Sequence, residues 1–163
     1  MANTPWSGVA GSAPGKMYLQ SGQFSATVKT SIAPTSFAFG ISYDLTNTPN
    51  ISYNSKKIYL NSGQFASELK DSQDISGVDT VPFGVSWDGT NTPWTGYEGK
   101  KLYLQSAQFS VTLKTSRSIS SVDNTPTGIS YDGTNTPWCG QGGDRLYLQS
   151  AQFASEMKTS LAI

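Results

Sequence analysis

Histidine is absent from this 163-residue chain, and cysteine occurs once, at Cys139. Without histidine, the side chain that ordinarily exchanges protons near neutral pH is missing. A single cysteine excludes an internal disulfide framework, and together the two absences exclude a Cys/His zinc set. Charge is also scarce. Charged residues make up 13% of the chain, against the usual ~25%, and eleven Lys and Arg balance eleven Asp and Glu. A balanced chain has no long-range attraction for a polyanion, so neither nucleic acid nor a membrane surface is an expected partner. No stretch approaches the ~18 apolar residues that span a bilayer. The opening MANTPWSGVAG has no basic start and no apolar run, so no Sec signal is expected and synthesis in a cytoplasm is. Low charge does not mean disorder here. Aromatics reach 12% and recur in register, as core positions do.

What the chain does contain is repetition. GVSWDGTNTPW at 84–94 returns as GISYDGTNTPW at 128–138. Pro5, Pro49, Pro93 and Pro137 stand at steps of 44, as do Gly40, Gly84 and Gly128. A second phrase, KMYLQSGQFS, KIYLNSGQFA, KLYLQSAQFS and RLYLQSAQFA, begins at Lys16, Lys57, Lys101 and Arg145. Its first step is 41 and the next two are 44, a loop-length change of the sort repeats tolerate.

Within a unit the period is two. Phe109, Val111 and Leu113 alternate with Ser110, Thr112 and Lys114, and Leu102 and Leu104 with Tyr103 and Gln105. This predicts strands with one buried face. Asp88-Gly89 and Asp132-Gly133 predict hairpin turns, and the Ser-Gly and Ser-Ala steps at Ser62 and Ser106 predict a second turn. Each unit then reads as four strands: GISYD, a second around TPWCG, RLYLQS and QFASEMKTS. Fifteen strands are expected in all, because the first unit lacks its leading strand. The units are one domain over 1–163, divided at about 1–36, 37–80, 81–124 and 125–163.

Four short strands in 40–50 residues, repeated, predict β-propeller blades. The phrase P-x-G-I-S-x-D-G, followed by a Trp and an L-Y-L-x-S strand, resembles short-blade propeller repeats of the NHL and YVTN type. The G-I-S-[YW]-D-G-T-N-T-P-W form is also similar to repeats of uncharacterised bacteriophage and environmental viral proteins. The expected fold is all-β, a small propeller of about four four-stranded blades. A β-prism or stacked β-solenoid is the other architecture compatible with the pattern.

The chemistry-bearing positions are those that repeat. Asp44, Asp88 and Asp132 share one position and are suited to capping the hairpin turn. The oxygen-rich D-G-T-N-T lacks the alternating acids of a calcium loop, so neither a metal nor another cofactor is expected. Trp6, Trp94 and Trp138 each follow a Pro. They read either as packing between blades or, with Asn91, Asn135, Asp88 and Asp132, as shallow aromatic and polar glycan pockets that gain strength by repetition. The expected function is non-enzymatic: a bacteriophage virion structural or accessory protein, as decoration, fibre or adhesin. Its partners would be other virion proteins or further copies of itself. A lectin-like module for cell-surface glycan is the alternative function, and a cytoplasmic or unconventionally exported protein the alternative setting.

Overall fold

The structure, a computed structural model, describes residues 4–8, 16–20, 28–32, 38–42, 46–62, 69–107, 112–151 and 157–162, the first three strands by backbone alone. Its elements are strands throughout. β1 (Thr4–Gly8), β2 (Lys16–Gln20) and β3 (Val28–Ile32) form a three-stranded sheet. Three four-stranded sheets follow, each a meander in chain order. The second sheet is β4 (Ala38–Ile41), β5 (Asn47–Ser52), β6 (Lys57–Ser62) and β7 (Leu69–Asp74). The third is β8 (Pro82–Val85), β9 (Asn91–Gly96), β10 (Lys101–Ser106) and β11 (Leu113–Ser118). The fourth is β12 (Pro126–Ile129), β13 (Asn135–Gly140), β14 (Arg145–Ser150) and β15 (Met157–Ala162). All pairings between these strands are antiparallel. Among the described residues the first unit has three strands and the others four, as the sequence predicts, and the architecture is of the propeller type rather than a prism or solenoid.

Two strand boundaries differ from the sequence reading. The leading strand of a unit covers Pro126–Ile129, not Gly128–Asp132. Proline is suited to the first residue of a strand, where no ladder N–H is required, and Pro126 stands opposite Gly140. In the fourth unit the last strand covers Met157–Ala162 among the described residues, running past Ser160, and Gln152 lies outside them. Its counterpart starts at Leu113, past a register shift between Leu104 and Gln105. Phe109 and Val111 lie outside the described residues, whereas Leu113 is half-buried against the core.

The larger correction concerns the alternation. In β10 Leu102, Tyr103, Leu104 and Gln105 are all buried, and all six residues of β9 are. The two faces of the third sheet are both interior, because the sheet lies between the second and the fourth. Period two therefore separates two kinds of buried face. Residues directly opposite across a ladder share a face: Trp94 pairs with Tyr103, and Thr95 with Leu102. One face is aromatic and the other largely aliphatic.

These faces meet between consecutive sheets. Ile51, Ile58 and Ile75 from the second unit pack with Val85, Trp94 and Tyr103 from the third. Leu102, Leu104 and Ile119 from the third pack with Trp138 and Tyr147 from the fourth. Each such side chain contributes ~1.5–3 kcal/mol on burial. The sheet contacts run in chain order, from β1 to β4, from β4 and β5 to β8, and from β8 and β9 to β12. Among the described residues the fourth sheet makes no comparable contact with the first. The four sheets form an arc.

At the inner margin of the arc the leading strands approach backbone to backbone. A Cβ on Gly84 would lie 2.9 Å from the Thr127 carbonyl oxygen and 3.0 Å from Gly128 Cα. One on Gly40 would lie 2.5 Å from the Phe83 carbonyl oxygen. The recurring glycine is thus the residue that lets one unit seat on the next.

Two stability experiments follow from this geometry. Gly84→Ala should cost about 1–3 kcal/mol by overpacking. Gly77→Ala, in a turn where an added Cβ meets nothing within 4 Å, should stay within ~0.5 kcal/mol. Equal urea midpoints for the two variants would refute the close approach. Ala107 holds a φ of 55° at the position where the first two units carry Gly22 and Gly63. Ala107→Gly should therefore raise the unfolding free energy by up to about 1 kcal/mol through relief of left-handed strain.

Candidate functional site

Two of the three tryptophans singled out by the repeat, Trp94 and Trp138, are interior. Trp94 is 0% exposed and stacks on Tyr103, ring centroids 4.1 Å apart at 17°. Trp138 is 2% exposed and stacks on Tyr147 at 4.2 Å and 19°. Neither presents a free ring face to a sugar, so the glycan reading of these two positions gives way to packing between sheets. Trp6 stands opposite Tyr18 in the first sheet, and its side chain lies outside the described residues.

The acidic and amide positions build a turn. Asp88 Oδ1 accepts the backbone N–H groups of Thr90 at 2.7 Å and Asn91 at 2.6 Å, and Asn91 Nδ2 donates to Asp88 Oδ2 at 3.3 Å. Asp132 does the same with Thr134 and Asn135, at 2.8 and 2.6 Å. The glycines that follow have φ of 93° and 94°, a conformation open to glycine at no steric cost. The backbone N–H of Asn135, followed by that of Thr134, holds the Asp132 carboxyl below the usual carboxylate range. Asp88 and Asp132 are therefore engaged with the backbone of their own turns, to which Asn91 and Asn135 contribute N–H groups. The Trp and turn residues do not converge on a ligand site.

A different set of residues does converge. Tyr53 and Tyr97 open the turns between β5 and β6 and between β9 and β10, and Phe83 lies in β8 between them. The Phe83 ring is 6.4 Å from Tyr53, near-parallel at 20°, and 6.2 Å from Tyr97 at 85°. Phe39 joins edge-on, 5.2 Å from Phe83 and 6.0 Å from Tyr53. Phe39, Tyr53 and Tyr97 are each 40% exposed. Tyr53, Phe83 and Tyr97, with Glu98, Thr125 and Gln141, border an open cleft of about 670 Å³. That size falls within the ~300–1,000 Å³ usual for small-ligand sites. The walls come from three consecutive units. The turns are fixed to the strand starts, since the Tyr97 N–H donates to the Val81 carbonyl at 2.9 Å and the Gln141 N–H to the Thr125 carbonyl at 2.9 Å. The sequence does carry the signal: Phe39 and Phe83, and Tyr53 and Tyr97, stand 44 apart. The conspicuous Trp positions eclipsed it.

A second feature, also unmarked in the sequence reading, supports this rim. Asp79 is 4% exposed and accepts three hydrogen bonds: Oδ1 takes the Val81 N–H at 2.9 Å, and Oδ2 takes the Gly99 N–H at 2.9 Å and the Tyr103 hydroxyl at 3.0 Å. Asp123 repeats the arrangement with Thr125, Gly143 and Tyr147. In the second unit Tyr59 donates instead to Ser55 Oγ at 2.8 Å. Burial, then the Asp79 charge and hydrogen bond, push the Tyr103 phenol well above the ordinary tyrosine range. Burial and the Asp123 hydrogen bond raise Tyr147 in the same direction. A folded pKa above the unfolded value of ~10 means that the native state holds its proton longer. The stability from this effect is full below about pH 10 and declines as pH rises through the folded value. Unfolding midpoints should therefore fall above about pH 10, and Tyr103→Phe should flatten that decline while lowering stability at neutral pH. An unchanged alkaline slope in the variant would remove Tyr103 as its source.

No family model and no curated protein matches the chain. Solved structures do. Glutaminyl cyclase of Myxococcus xanthus aligns with a TM-score of 0.67 and 12% identity, over 82% of this chain and 56% of that one. Virginiamycin B lyase of Staphylococcus aureus aligns with a TM-score of 0.61 and 13% identity, over 98% and 55%. BamB of Moraxella catarrhalis gives 0.55 and 6%, over 91% and 42%. The chain thus spans about half the length of the structures it matches. At these identities the likeness concerns architecture: a β-propeller-type repeat fold.

Proposed function

We propose that the chain is a non-enzymatic carbohydrate-binding repeat module that serves as an adhesin component of a bacteriophage virion. The observation that carries the binding role is the cleft of Tyr53, Phe83 and Tyr97, with half-exposed rings beside Glu98, Thr125 and Gln141. Aromatic bodies with a few fixed polar groups make sites that orient a small polar ligand by hydrogen bonds while covering its apolar face. Glu98 is the one carboxylate among the described lining residues. Glycoside hydrolysis takes a pair, which favours binding over cleavage. The near-zero charge suits a neutral sugar. The virion setting rests on the sequence: the form of the repeat, the low charge and the Ser, Thr, Asn and Gly surface.

A glycan array followed by titration tests the binding role. Tyr97→Ala and Tyr53→Ala should each weaken binding about tenfold or more, roughly 1.4 kcal/mol, with little change in melting temperature. Asp88→Ala should leave affinity unchanged even where it lowers stability. An array with no bound glycan, or equal loss of affinity in all three variants, would overturn the assignment. Absence of the protein from purified particles would overturn the setting alone.

A further inference from the structure

The same face is covered in two units and bare in a third. Ile58 in the second sheet and Leu102 in the third are equivalent, 44 residues apart, and are 1% and 0% exposed. Their counterpart in the fourth sheet, Leu146, is 45% exposed. Ile51 and Thr95 are both 0% exposed, while Cys139 at the same position is half-buried. Leu161, opposite Leu146 in the ladder, is 65% exposed. The other face of the fourth sheet is closed: Trp138 and Tyr147 are 2% and 5% exposed against the third. Glycine reports the same difference. A Cβ on Gly40 or Gly84 would meet the backbone of the next unit, whereas one on Gly128 would meet only Cys139 Sγ of its own sheet. A shallow depression of about 260 Å³ between Gly128, Pro137, Cys139 and Leu146 marks the place.

The structure itself shows what covers such a face. Between the second and third sheets and between the third and fourth it is a Trp and a Tyr on the paired second and third strands of the following unit. The first unit carries the same pair: Trp6 stands opposite Tyr18 in β1 and β2, the register positions of Trp94 and Tyr103. The chain spans 56% and 55% of the cyclase and lyase chains on which its arc superposes. Two copies supply the length of one such ring.

We infer that the bare face of the fourth sheet is a docking surface for the first unit of a second copy of this chain, so that two arcs join head to tail in a closed ring. The contact is continuous with the interior sheet-to-sheet interfaces and uses the same pairing of an aliphatic face with an aromatic one. It is heterologous, and the arc's curvature closes it instead of letting it propagate.

Light scattering across a concentration series, with maleimide labelling of Cys139, tests this on the whole chain. The wild type should reach a mass of two chains and no more, and Cys139 should become protected as it does. Leu146→Lys, at an exposed position where lysine does not disturb the monomer, should weaken association at least tenfold and restore labelling. Trp6→Asp should do the same. Mixing the two variants should recover a two-chain species, because one interface in that pair is intact. A wild type that stays at one chain into the millimolar range overturns the inference. So does a Leu146→Lys variant, folded by circular dichroism, that keeps the wild-type mass and protection. A mixture that recovers nothing indicates a face-to-face contact between identical patches, and masses beyond two chains indicate open growth; either result rules out the closed head-to-tail ring.

Discussion

The contact between consecutive sheets governs the rest of this molecule. A four-stranded meander with strands of four to six residues has two faces here, one carrying Leu or Ile and the other Trp and Tyr, and stacking takes both out of water where a unit has neighbours on each side. The solution is polarity along the stack. The forward face offers Ile51 and Ile58, or Leu102 and Leu104; the backward face offers Trp94 with Tyr103, or Trp138 with Tyr147. Stacked indoles and phenols give large, rigid area at small entropic cost, and glycine in the leading strand sets how closely the inner margins approach. A single isolated unit would expose both faces at once, so stability accrues with neighbours, as it does in repeat proteins generally.

Much of this was legible in the sequence. The exact 44-residue recurrence of Pro49, Pro93 and Pro137 and the period-two alternation are local signals, and they sufficed for the strand count and the three-stranded first sheet. Strand edges were less legible because they depend on partners. Leu113 enters the ladder only after a register shift that no composition rule marks. The alternation was informative about period and misleading about environment. Tyr103 and Gln105 look like solvent-facing positions beside Leu102 and Leu104, yet a following sheet and a preceding one bury all four.

The candidate site illustrates the same limit. Trp is the residue most readily associated with ligand contact, but a large ring recurring in three of the four units is also the natural filler of the space between units. Tyr53 and Tyr97 are less conspicuous and lie in turns, and their convergence with Phe83 is a product of stacking: no single unit holds the cleft. The exposed rings gather where turns of adjacent units come side by side, while the Asp88 and Asp132 turns are occupied with their own amides. Rigidity of the rim derives from residues that look unremarkable in one dimension, Asp79 and Asp123, which are 20 residues or more from the turn amides and phenols they hold.

Those two carboxylates have a consequence for how such a chain can change over time. Asp79 bonds to Val81, Gly99 and Tyr103, and Asp123 to Thr125, Gly143 and Tyr147. Asp79 closes the second unit and Asp123 the third, and each of these ties reaches forward into the following unit, across 24 residues at most. Units are joined by this repeated polar tie and by a generic meeting of aliphatic and aromatic faces. An in-frame gain or loss of one whole period therefore sets an equivalent Asp before an equivalent turn and lands like surface on like. Unit number can thus change by whole periods without remaking any individual strand or turn.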